Sequence, residues 1–204
     1  MAPPPDPPRP RKRPSTAAGS AILDAILDAA EALIEEDGLD RFTTNRVGER
    51  AGVSVGSLYQ YFPNKEAILA ELGRRLERRV QVRLVEILEA SSAEPISETA
   101  ARVVDLLLGG IGGLRFRSVL QQAVPAGWTL DTTSAIDAQI RDRVEAELSR
   151  RDDVRAGPYP LMAWVVAHAV EGVIEAVVRT DHRMLETPAL RAELIALVTR
   201  YLAR

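Results

Sequence analysis

Four side chains on one apolar stretch are the first that could do chemistry. In LMAWVVAHAVEGVIEAVV, Leu161 to Val178, the exceptions Trp164, His168, Glu171 and Glu175 fall within about 60° of one another at 100° per residue. A histidine beside two carboxylates is raw material for acid–base catalysis or a metal site. The only other histidine is His182, in a polar turn, and there is no cysteine, so ligands are too few for zinc and no cofactor is implied. The plainer reading of the stripe is a solvated or salt-bridged helix face. The alternative is the polar wall of a small-molecule pocket, with Phe116, Gln121, Gln122, Trp128 and Met162 supplying the rest. Arg115 and Arg117 then pair either with an anionic ligand or with the acidic stripe itself. GGIGGL at 109–114 has no preceding strand and lacks the spacing of a dinucleotide loop, so it reads as a helix–helix connection.

A second cluster lies nearer the N-terminus, in TTNRVGERAGVSVGSLYQYFPNKEAIL, Thr43 to Leu69. Between residues 41 and 65, Arg41, Arg46, Arg50 and Lys65 face only Glu49, which offers a polyanion a footing. Val47, Ala51, Val53, Leu58 and Tyr61 fall where two crossing helices bury apolar surface, with Gly48 at their close approach. Gly52 suits the positive φ of the turn between them, and Ser54 caps the next helix. That helix would present Val55, Gly56, Ser57, Tyr59 and Gln60 outward, small and polar residues that let a backbone approach base edges in a major groove. An ordinary helical corner with surface tyrosines is the bland counterpart.

The elements that must position these groups are all helical. Helical periodicity runs from an N-cap at Ser20 to Asp37-Gly38, then over about 44–51, 55–61 and 65–90, with Pro63-Asn64 separating the last two. The fourth helix would be roughly 35–40 Å long. Further helices are expected over about 95–108, 114–124, 132–150, 158–179 and 188–203. Residues 2–19, APPPDPPRPRKRPSTAAG, read as an extended basic arm that either strengthens phosphate binding or is a solvated tail. The formal charge of −3 is split mildly, with 13 Lys/Arg against 12 Asp/Glu over 1–83 and 13 against 17 beyond, too little by itself to argue for nucleic acid. Arginine, glutamate or glycine interrupts every apolar run before the ~18 residues of a membrane span, so no membrane partner is expected, and the lack of cysteine fits a reducing cytoplasm.

FTTNRVGERAGVSVGSLYQYFPNKEAIL resembles the DNA-binding segment of the TetR family of bacterial transcriptional regulators. The shared signature is the Thr-Thr start, the Ala-Gly-Val-Ser turn, the Leu-Tyr-x-Tyr-Phe helix and the Asn-Lys-Glu opening of the fourth helix, within about fifty residues from Ala21 to Leu72. The resemblance implies that Thr44, the Tyr59 and Tyr61 hydroxyls and Lys65 meet DNA backbone. It places Asn45, Val55, Gly56, Ser57 and Gln60 at base edges. It also implies a homodimer, for which Val166, Ala169, Val173 and Val177 together with Leu190, Leu194, Leu197, Val198 and Tyr201 would form the interface; the same stripes could instead complete the core of one chain.

The expectation is therefore an all-α chain: a basic arm over 1–19, a three-helix helix-turn-helix DNA-binding domain over 20–65, and a helical effector-binding and dimerisation domain over 66–204. Its function would be that of a repressor binding a palindromic double-stranded DNA operator and released by a small-molecule effector, not an enzyme. Two other readings remain: a helical-bundle enzyme built on His168, Glu171 and Glu175, and a DNA-binding activator or architectural protein without an effector.

Overall fold

The computed structural model describes residues 16–91, 93–109 and 138–204. The expected helix over 114–124 and the start of that over 132–150 lie outside them, as do Phe116, Gln121, Gln122 and Trp128. Among the described residues the only extended pairing is an isolated antiparallel bridge between Val154 and Ala203.

Helix α1 spans Ala17–Asp37. It starts one turn ahead of the expected Ser20, because Thr16 caps it by accepting the Gly19 N–H at 3.1 Å, while Ser20 donates its hydroxyl to the Thr16 carbonyl at 3.3 Å from inside the first turn. Two caps competed in the sequence, and the upstream one adds a turn of alanine-rich helix. Gly38, at φ 75°, ends the helix by returning its N–H to Ile34, and a 3₁₀ turn, Leu39–Arg41, follows. Then come α2, Thr44–Ala51, α3, Val55–Tyr61, and α4, Lys65–Ala90. Asn64 opens α4 by accepting the Ala67 N–H at 2.9 Å.

The described residues form two compact units, one ending at Leu76 and one beginning at Glu77. In the first, Ile26, Leu27, Ala30 and Ile34 of α1, Val47 of α2, Leu58 of α3, Phe62 after it and Ile68 and Leu72 of α4 are all buried. Removing such a side chain leaves a cavity that costs about 2–5 kcal/mol.

The second unit contains α5, Ile96–Gly109, α6, Ala138–Arg150, α7, Tyr159–Thr180, a 3₁₀ turn, His182–Glu186, and α8, Pro188–Leu202. Its core joins Ile96, Ala100, Val104 and Leu108 of α5 to Val170, Ile174 and Val177 of α7 and Leu190, Leu194, Val198 and Leu202 of α8. The connections are tied down by polar bonds. The Arg151 side chain, only 5% exposed, pairs with Glu147 at 3.3 Å and Asp153 at 2.9 Å, and donates to the carbonyls of Ser91 and Glu94. Asp153 in turn accepts the Ile96 N–H at 2.6 Å, and with Arg151 beside it its carboxyl sits below the usual range.

One expectation needs correcting. Helix α7 is long and apolar enough to cross a membrane by length and composition, because two glutamates do not offset its mean hydropathy of 1.7. Of its most apolar window 28% is buried within the chain, at Met162, Val170, Ile174, Val177 and Val178.

Candidate nucleic-acid interface

Local bonds set the geometry of the α2–α3 corner. Thr43 caps α2 by accepting the Arg46 N–H at 3.3 Å. At its end Gly52 takes the left-handed conformation, φ 67° and ψ 25°, and its N–H returns to Glu49 while that of Val53 reaches Gly48 at 2.9 Å. A Cβ on Gly48 would sit 3.2 Å from the Val53 carbonyl oxygen, so the turn folds back over a position that must be small. Ser54 accepts the Ser57 N–H at 3.1 Å and pairs hydroxyl to hydroxyl with it at 2.8 Å, which starts α3.

On α3 the exposed residues are Val55, Gly56, Tyr59 and Gln60. At 100° per residue they occupy a continuous arc of roughly 140°. Leu58 and Tyr61 fill the opposite side as core, with Ser57 between the two sides and half-buried. Asn45 is exposed on α2, and Thr44 brings its hydroxyl to 3.2 Å from that of Tyr59. Lys65 is exposed in the first turn of α4 and has no ion-pair partner among the described residues. Thus Thr44, Asn45, Val55, Gly56, Tyr59, Gln60 and Lys65 are accessible, while the Tyr61 ring, 7% exposed, is core, in keeping with its expected place at the helix crossing. Its spacing three residues after Leu58 is the helical signal for that burial.

The arginines also differ from expectation. Arg50 makes two bonds to Glu36, at 2.6 and 2.7 Å, Arg46 pairs with Asp37 and donates to the Arg41 carbonyl at 3.0 Å, and Arg41 lies 3.8 Å from Asp37. Counting charges only over 41–65 left out these carboxylates, which stand just upstream in sequence. Arg50 and Arg46, through hydrogen bonds, hold the Glu36 and Asp37 carboxyls below their ordinary range.

In the second unit, His168 Nδ1 lies 2.8 Å from the Trp164 carbonyl, which can only accept, so Nδ1 carries the proton. The two rings stack with centroids 3.9 Å apart, and Trp164 remains 51% exposed. Glu171 and Glu175 are half-buried. Met162, 1% exposed, is buried in the core of the second unit. No group of three or more metal-ligating side chains occurs among the described residues. The expected dimer residues divide. Val177, Leu190, Leu194 and Val198 are buried in their own chain's core, because the apolar face of α8 packs chiefly on α5. Val166, Ala169 and Tyr201 are half-buried, the last beneath the Arg155 guanidinium at 4.7 Å, and Val173 and Leu197 are exposed.

A three-helix head with an exposed arc on its last helix defines a helix-turn-helix DNA-binding regulator, and comparisons with known proteins agree. Residues 26–72 match the model for bacterial regulatory proteins of the tetR family, and residues 95–202 that for the tetracyclin repressor-like C-terminal domain. The chain belongs to the TetR family and is a DNA-binding transcriptional regulator, not an enzyme. It is 46% identical over 54 residues to the HTH-type transcriptional repressor KstR of Mycolicibacterium smegmatis, a match spanning 26% of each chain. It is 33% identical over 72 residues to the nucleoid occlusion factor SlmA of Glaesserella parasuis, spanning 35% of this chain and 34% of that one. These matches thus span about a third or less of the curated relatives' own length. Among solved structures, a transcriptional regulator from Cytophaga hutchinsonii superposes with a TM-score of 0.70 at 16% identity, covering 89% of this chain and 98% of that one. The SmeT–triclosan complex superposes at 0.62 and 24% identity, covering 90% and 92%. At those identities the likeness is one of fold.

Proposed function

We propose that this regulator is a cytoplasmic repressor that binds a palindromic operator as a homodimer and releases it when a small molecule enters the second unit. The observation that carries the reading is the α3 arc of Val55, Gly56, Tyr59 and Gln60, flanked by the Thr44–Tyr59 hydroxyl pair and by Lys65. Asn45, Val55, Gly56, Ser57 and Gln60 meet base edges, while Thr44, Tyr59 and Lys65 hold phosphates; Tyr61 contributes at most its hydroxyl. The basic residues ahead of Thr16 add to phosphate binding, the DNA-binding domain runs from α1 to about residue 65, and the remainder serves effector binding and dimerisation. The effector site draws on Trp164, His168, Glu171 and Glu175 of the second unit. Val173 and Leu197 are apolar surface for the second copy. Support for an effector comes from SmeT, solved with triclosan, and EbrR, solved with malachite green; support for repression comes from the name of KstR.

Selection of bound sequences from a random duplex pool, with salt titration of the winner, tests the reading. A palindromic winner bound by two copies, much tighter than scrambled duplex, is the expected result. Salt-sensitive binding without any enriched motif would overturn it. An enriched duplex that no small molecule from a broad panel displaces would instead favour an effector-independent regulator.

A further inference from the structure

The arginines of α2 are turned toward α1. Arg46 and Arg50 lie roughly 120–160° around α2 from Thr44, whose hydroxyl meets Tyr59 of α3. One side of α2 therefore faces the next helix, and the other is held by Glu36 and Asp37 at the C-terminal end of α1. The α1 helix dipole adds to that cation site. Only Val47 and Gly48 of α2 are buried, so apolar packing gives this eight-residue helix a single side-chain pivot. A single pivot leaves rotation about the helix axis weakly specified. Two ion pairs placed off the pivot restrain it, and the turn bonds from Gly52 and Val53 pass the α2 orientation on to α3.

We infer that the Glu36–Arg50 and Asp37–Arg46 pairs are positioning pairs for DNA readout: they set the angle at which α3 is presented, and neither arginine neutralises a phosphate. Such exposed pairs add little to stability. Their effect appears where orientation is measured, in preference for one duplex over others. The inference rests on the DNA-binding assignment and uses the operator reading only to obtain a probe.

The test uses the full chain, the duplex enriched from the random pool, and a scrambled duplex of equal length. Arg50→Gln and Glu36→Gln should each weaken the enriched duplex roughly two- to fivefold, the scale of an exposed ion pair. Binding of scrambled DNA and the slope of log affinity against log salt should stay as in the wild type. The exchanged pair Glu36→Arg with Arg50→Glu should recover most of the loss, since it keeps both charges and the pairing. A slope reduced by about 0.9 for each bound copy in Arg50→Gln would make Arg50 a phosphate ligand and overturn the inference. Single variants with no loss, or an exchange that fails to recover it, would overturn it too. If the pool yields no preferred duplex, the operator reading falls first and positioning has nothing to serve.

Discussion

At the scale of residues, the corner separates groups that hold backbone from groups that read bases. Tyr59→Phe removes a hydroxyl 3.2 Å from Thr44 and should weaken binding to enriched and scrambled duplexes alike, by about 1 kcal/mol in a titration. Gln60→Ala should in addition flatten sequence preference in a repeated selection, because an amide can pair with adenine in two bonds. An unchanged preference would remove Gln60 from readout. Lys65→Gln should lower the salt slope by about 0.9 for each bound copy, about 1.8 for the dimer, while leaving sequence preference intact. The candidates on α3 were legible because the helix is short and its core positions, Leu58 and Tyr61, fix the rotation. Tyr61 was legible as core too, because its spacing from Leu58 puts the ring inside. The partners of Arg46 and Arg50 were illegible, since pairing across a turn depends on where α1 ends relative to α2.

At the scale of elements, the α2–α3 corner depends on one left-handed residue. Gly52→Ala should cost about 1 kcal/mol in chemical denaturation, with Gly52→Asn milder, since no neighbour lies within 4 Å of a Cβ there and only the backbone conformation is opposed. Equal stabilities for glycine and alanine would contradict that account. In the second unit, Arg151→Met should be far more damaging, about 3–5 kcal/mol, because it strands the buried Glu147 carboxylate and two carbonyls. Among the described residues, helix boundaries followed closely from periodicity and punctuation. The exception at Thr16 arose where two hydroxyl residues four apart both suited an N-cap.

At the scale of the whole molecule, acid and association are the two telling variables. Glu36, Asp37 and Asp153 have folded pKa values lowered by Arg50, Arg46 and Arg151. Such groups add stability above the unfolded value near 4, and that stability is lost as pH falls through the lower folded value. Thermal midpoints should therefore hold steady above about pH 5 and drop below about pH 4, and Asp153→Asn should make the drop shallower. For association, Leu197→Asp with Val173→Asp should shift sedimentation toward a single chain that remains folded, since both sites are exposed within one chain, with the thermal midpoint falling only by what association contributed. Leu194→Asp, at 2% exposure, should unfold the second unit instead. The sequence could not separate those cases: Leu194 and Leu197 are both apolar on the same short helix, and only the packing of α5 on α8 distinguishes them.

The division of labour on α3 has an evolutionary consequence. Val55, Gly56 and Gln60 contribute no buried side chain, while Leu58 and Tyr61 on the same helix do. A duplicated gene can drift at the first three positions and acquire new targets while its product still folds. A library randomised at those three codons should yield mostly folded proteins, and descendants of one ancestor can diverge in what they regulate long before their architecture changes.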